Sequence, residues 1–288
     1  MHTTVHGFGY GLVTPLAAYL MACLGGALGL RCTARAMLVT RSWRPGWLAL
    51  GSAAIGSGIW TMHFVAMMGF TIEHTPIRYD WLMTFASLAV AVVMVGVGIF
   101  IVGYRGASGT ALFTGGTITG LGIASMHYLG MAGMHLDGQL TYNTLTVAVS
   151  VVIAMAAATA ALWAAGQVRG FLWSVGAALI MGLAVTGMHY TGMAAVEVHV
   201  SGTAEPSTGG SPAELLAPML IGPLAFLLLA GVVVVLDPLM VMGGPTAAPV
   251  ERKPGIPAHT DGTRTTRHPA RRARRPLVHR RPRTPQNR

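Results

Sequence analysis

Charge is what this chain has least of. Only 10% of its 288 residues are charged, against 53% hydrophobic, and the mean hydropathy is +0.59. That balance excludes an ordinary soluble domain, where about a quarter of residues carry charge. Cysteine is nearly absent. Cys23 and Cys32 fall in or at the inner end of one apolar run, form no sensible disulfide, and make a weak metal claim alone. No basic segment precedes the first apolar run, so no cleavable signal is expected. No acid/base pair or nucleophile constellation stands out, so the chain is not expected to be an enzyme.

What is present is a series of charge-free stretches long enough for a bilayer, which takes about 20 residues. They run near 11–30, 47–70, 81–103, 112–134, 145–165, 171–195 and 215–236. Basic residues alternate around them. Arg31, Arg35, Arg41, Arg44, Arg105, Arg169 and twelve Lys/Arg after the last run lie on one side, which leaves Arg78 on the other. Glu73, Asp80, Asp137, Glu197, Glu205 and Glu214 lie opposite the basic side. The positive-inside rule then puts the N-terminus outside and the C-terminus in the cytoplasm. The fold class expected is an all-α membrane protein of seven transmembrane helices.

A triplet of Met, His and an aromatic recurs three times, each time with Met four residues after the His. The copies are Met62-His63-Phe64 with Met67, Met126-His127-Tyr128 with Met131, and Met188-His189-Tyr190 with Met193. A period of 64 and then 62 residues suits two spans and their loops, so the seven helices read as three repeated helix pairs plus one extra helix. Glycine and small residues crowd the even spans, as in Gly115-Gly116-Thr117-Ile118-Thr119-Gly120, which lets them approach closely at the bundle centre. Residues 7–200 are then a six-helix membrane domain and 201–242 an outer loop with the seventh helix. Residues 243–288, Pro- and Arg-rich, form a disordered basic cytoplasmic tail.

An imidazole inside the bilayer is costly unless paired or used. Flanking charges put each motif His at one level in the outer half, roughly 12–15 Å below the outer charges at about 1.5 Å per residue. Positions four apart share a helix face, so His63 and Met67, His127 and Met131, and His189 and Met193 each present an imidazole with a thioether. Met134 returns to the His127 face, whereas Met68 turns away from His63; both are possible additional ligands. A His and Met set without Cys or carboxylate favours copper over zinc. Against this stands the plainer reading, in which buried His and Met only hold helices together. Three copies at one depth favour a shared site.

Met126-His127-Tyr128-Leu129-Gly130-Met131 and Met188-His189-Tyr190-Thr191-Gly192-Met193 resemble the signature of the bacterial MHYT-domain integral membrane sensors, over about residues 7–200. The resemblance implies a multi-pass protein of the bacterial inner membrane. It also implies copper held by motif His and Met, and sensing of a diatomic gas (O2, CO or NO) or of redox state. The first motif departs from the pattern, with Phe64 for Tyr and Ala66 for Gly. Family members often carry diguanylate cyclase, phosphodiesterase, kinase or DNA-binding output domains; none is expected in the residues after the last span here. Output would pass by helix movement or to a separate signalling protein, and the tail would meet that protein or anionic lipid. Nucleic-acid binding by Arg271-Arg272-Ala273-Arg274-Arg275 is the weaker reading. The alternative function is metal transport or delivery.

Overall fold

The computed structural model describes residues 5–6, 11–72, 77–136, 138–167, 171–200 and 212–237. Seven long helices dominate it: α1 (Val13–Leu38), α2 (Arg44–Met68), α3 (Trp81–Arg105), α4 (Gly109–Ala132), α5 (Thr144–Gln167), α6 (Phe171–Met193) and α7 (Pro212–Leu236). Six are long and apolar enough to cross a membrane. The exception, α4, owes its lower hydropathy to the glycines and threonines along it. Leu16, Leu20, Val93, Val152, Leu183 and Leu228 are exposed, as expected where the outer solvent is lipid.

Each helix from α1 to α6 packs on its chain neighbour, and α1 also packs on α6, so the six close into a ring; α7 lies against α2 and α1. Small residues set the helix spacing. A methyl group added at Gly25 of α1 would stand 2.7 Å from Cα of Gly58 on α2. At Gly120 of α4 it would stand 2.4 Å from Cα of Met155 on α5. Backbones this close gain packing that lipid cannot supply. Polar side chains add ties within the apolar bundle: the Trp60 indole N–H of α2 donates to the Thr84 carbonyl (3.1 Å) and the Ser87 hydroxyl (3.0 Å) of α3.

Three features differ from the sequence reading. Helix α1 continues past the expected end of its apolar run at residue 30 and carries Arg31 and Arg35 in its last turns. The extension is held because Arg35 Nε donates to Asp237 Oδ2 at 2.8 Å and the guanidinium lies over the Trp47 ring. Helix α4 ends at Ala132, where the Gly133 N–H turns back to the Leu129 carbonyl, so Met134 is not on the helical face of His127. It sits instead in a strand.

Strands are the third difference. β1 (Val5–His6) pairs with β2 (Thr71–Ile72), β3 (Arg78–Tyr79) with β4 (Met134–His135), and β5 (Gly138–Tyr142) with β6 (Val196–Val200), all antiparallel. Each ribbon joins the segment entering an odd helix to the segment leaving the next even one, which satisfies backbone groups at those helix ends. Asp80 and Asn143, just before α3 and α5, cap them through the Met83 and Thr146 amides, and their own amides reach the Gly133 and Ala195 carbonyls.

The chain divides into one unit through Gly244 and a second from Pro245. The expected loop at 201–211 and the basic tail at 243–288 lie outside the described residues.

Candidate metal centre

The even helices bring all three motif histidines to one point. Nδ1 of His63 lies 3.1 Å from Nδ1 of His127 and 3.1 Å from Nδ1 of His189, and the last pair are 3.3 Å apart. The rings stand nearly perpendicular to one another, at 81°, 86° and 89°. Each also meets its own motif aromatic edge-on: Phe64 at 4.6 Å, Tyr128 at 4.8 Å and Tyr190 at 5.0 Å between centroids. All three histidines are buried.

This triangle cannot be closed by hydrogen bonds alone. An imidazole nitrogen is either an N–H donor or a lone-pair acceptor. Of three such atoms at least two are alike, so one edge always sets two N–H groups, or two lone pairs, against each other. Three lone pairs turned toward a central cation remove the conflict. The spacing fits that occupant, since two nitrogens about 2.0 Å from a tetrahedral ion are about 3.3 Å apart. Among the described residues the group able to hold a metal is these three histidines, with no Cys, Asp or Glu in it.

The methionines are placed less uniformly. Met67 and Met131 are fully buried, and Met193, the last residue of α6, is partly buried. Met134 is buried in β4; Met68, at the end of α2, is partly buried. Of the outer histidines, His135 is exposed on β4, while His74 and the His199 side chain lie outside the described residues.

The ribbons cover the motif end of the bundle. Tyr79 of β3 packs near Phe64, with ring centroids 6.3 Å apart, and its burial pushes the phenol above its ordinary range. Toward the other end, Ile59, Ile123 and Val185 each lie one helical turn from a motif His. With Val95, Ile99 and Leu162 they line a central cavity of about 30 Å3 walled by residues of all six ring helices. The three histidines therefore sit between a ribbon-covered end and an apolar layer.

Two sets of functional neighbours escaped the sequence reading. One is the Tyr128 hydroxyl, bonded to Ser150 of α5 at 2.7 Å, which ties helices together and leaves the histidines to the interior. The other is the motif glycines, Gly130 and Gly192, which touch His63 and His127 across helix boundaries. Their constant place three residues after the motif His was the visible signal.

The family described as MHYT, a bacterial signalling protein N-terminal repeat, matches three times, over residues 56–115, 120–178 and 182–241. Each block opens within a motif-bearing helix, just ahead of its His. The chain is 37% identical over 193 residues to the bifunctional diguanylate cyclase/cyclic di-GMP phosphodiesterase MucR of Pseudomonas aeruginosa, covering 65% of this chain and 28% of that one. It is 35% identical over 212 residues to the cyclic di-GMP phosphodiesterase NbdA of the same organism (69% and 25%). To the signaling protein YkoW of Bacillus subtilis it is 31% identical over 187 residues (62% and 23%). It thus spans about a quarter of the length of these curated relatives, and no solved structure matches it. Three buried motif histidines, six membrane-length helices and a threefold family match place the chain in the bacterial inner membrane, as a multi-pass member of the MHYT family of signalling proteins.

Proposed function

We propose that this protein is a membrane sensory module, not an enzyme, in which copper is held by His63, His127 and His189 with Met67, Met131 and Met193 as soft neighbours. The observation that carries the reading is the triangle of converging Nδ1 atoms. The donor set is neutral, so nothing in it offsets the charge of a dication in an apolar interior. Thioether further selects Cu(I). A bound copper would supply a coordination position for O2, CO or NO, or a redox state. What the chain contributes is a water-poor pocket and three imidazoles whose positions depend on how α2, α4 and α6 pack. Signalling then passes through helix movement to chain beyond α7 or to a separate protein. Cyclic di-GMP turnover, named in two of the relatives, is the output chemistry this suggests.

The decisive experiment is to purify the protein, measure its metal content, and record a CO-sensitive infrared or optical spectrum. A metal-free, CO-silent and well-folded preparation sinks the proposal. All seven helices, α4 included, are proposed to cross the bilayer as three repeated pairs and one extra helix, N-terminus outside and C-terminus cytoplasmic; cysteine labelling of single-Cys loop variants from either side tests this. Metal transport or delivery is the second reading. The apolar layer beneath the histidines weighs against it, because an ion would have to cross that layer with few polar partners.

A further inference from the structure

The third residue after each motif His is Ala66, Gly130 or Gly192. A methyl group added at Gly130 of α4 would stand 2.7 Å from Nε2 of His63 on α2, 3.3 Å from its Cδ2 and 3.2 Å from Cζ of the neighbouring Phe64. Added at Gly192 of α6, it would stand 2.5 Å from Nε2 of His127 on α4, 3.0 Å from Cδ2 and 3.4 Å from Cε1. Neither Nε2 has a hydrogen-bond partner, and both are buried. Each ring is therefore held between two surfaces: bare helix backbone along its Nε2 edge, and the other two imidazoles at its Nδ1. The contacts run in one direction, from α2 to α4 to α6.

We propose that Gly130 and Gly192 are positioning residues for the three-histidine site, each seating the imidazole of the preceding motif. By omitting a Cβ, the glycine leaves the space that the Nε2 edge fills, so Nδ1 is the atom presented inward and the nitrogen spacing is fixed. An added methyl cannot be accommodated by sliding the ring inward, because the other Nδ1 atoms are already about 3.1 Å away. The ring must turn off the triangle, taking one donor with it. The metal-binding consequence rests on the proposed function above; the seating itself does not.

Stability of the metal-free protein tests the seat. Thermal unfolding in detergent is followed for Gly130→Ala alone, with His63→Ala, and with His127→Ala. The glycine substitution is expected to lower the midpoint in the wild-type and His127→Ala backgrounds and to lose most of that effect once the His63 ring is gone. Gly192→Ala should show the mirror pattern, relieved by His127→Ala but not by His63→Ala. Equal penalties in every background overturn the seat. Should Gly130→Ala fail to fold, folding restored by adding His63→Ala supports it, and continued failure overturns it.

Copper titration tests the positioning role. Both glycine variants should lose at least tenfold in affinity with an altered absorption spectrum. Gly176→Ala, at a glycine with nothing within 4 Å of an added methyl, should match wild type. Wild-type affinity and spectrum in the Gly130 and Gly192 variants overturn positioning. If the unfolding cycle shows coupling but wild type takes no copper, the seat stands and the metal reading falls.

Discussion

An imidazole has two nitrogens with different jobs, and the site divides them cleanly. Nδ1 faces the centre, and in His63 and His127 the buried Nε2 faces a glycine. Replacing His127 by Ala removes one corner of the donor set, so bound copper should fall at least tenfold. Replacing the exposed His135 should leave it unchanged; metal analysis of the purified variants decides. If Met131 is the proposed soft neighbour, the Met131→Leu change should preserve packing and reduce the preference for Cu(I) over Zn2+. The aromatic of the motif has a separate role. Tyr128→Phe loses its bond to Ser150, a net cost of about 1 kcal/mol, which should appear as a lower unfolding midpoint with metal content intact. The first motif already has Phe at this position.

Helices were legible to differing degrees, for reasons that can be named. Long apolar runs mark a buried or lipid-facing helix wherever it lies, so α2, α3 and α5 stood out. Arg31 and Arg35 concealed the true end of α1, because charge suggests a loop until the partners are known, and Asp237 lies 202 positions away from Arg35. Val196-Glu197-Val198-His199-Val200 alternates as a strand should, but the alternation is hard to separate from the end of an apolar helix. The three motif histidines shared a face and a depth on sequence grounds. Their 3.1–3.3 Å spacing, and the glycines that seat them, depend on crossings between helices that no single segment encodes. One crossing is tested directly. Gly120→Leu would drive a side chain into the α5 backbone at Met155 and should destabilise the folded bundle strongly. Gly46→Leu, with open space around it, should scarcely shift the unfolding midpoint in detergent.

Taken whole, the molecule has a polar centre toward one end of an otherwise apolar ring. The layer of Ile59, Ile123 and Val185 beneath the histidines encloses room for about one water molecule but offers it few partners. Proteoliposomes containing the protein should therefore take up no copper above protein-free controls; sustained uptake would shift the assignment to transport. At the other end of α1, the Arg35–Asp237 pair is largely buried and joins that helix to the residue just after α7. Asp237→Asn should let the end of α7 exchange its amide hydrogens faster without altering metal content. Under the proposed signalling by helix movement, this pair would make α1 a lever. The helix is clasped between α2 and α6, two of the three that bear histidines, while its far end grips Asp237, the residue that follows α7. A small twist begun at the imidazoles would be delivered at Asp237 as a sideways stroke, with a rigid rod in place of a tether.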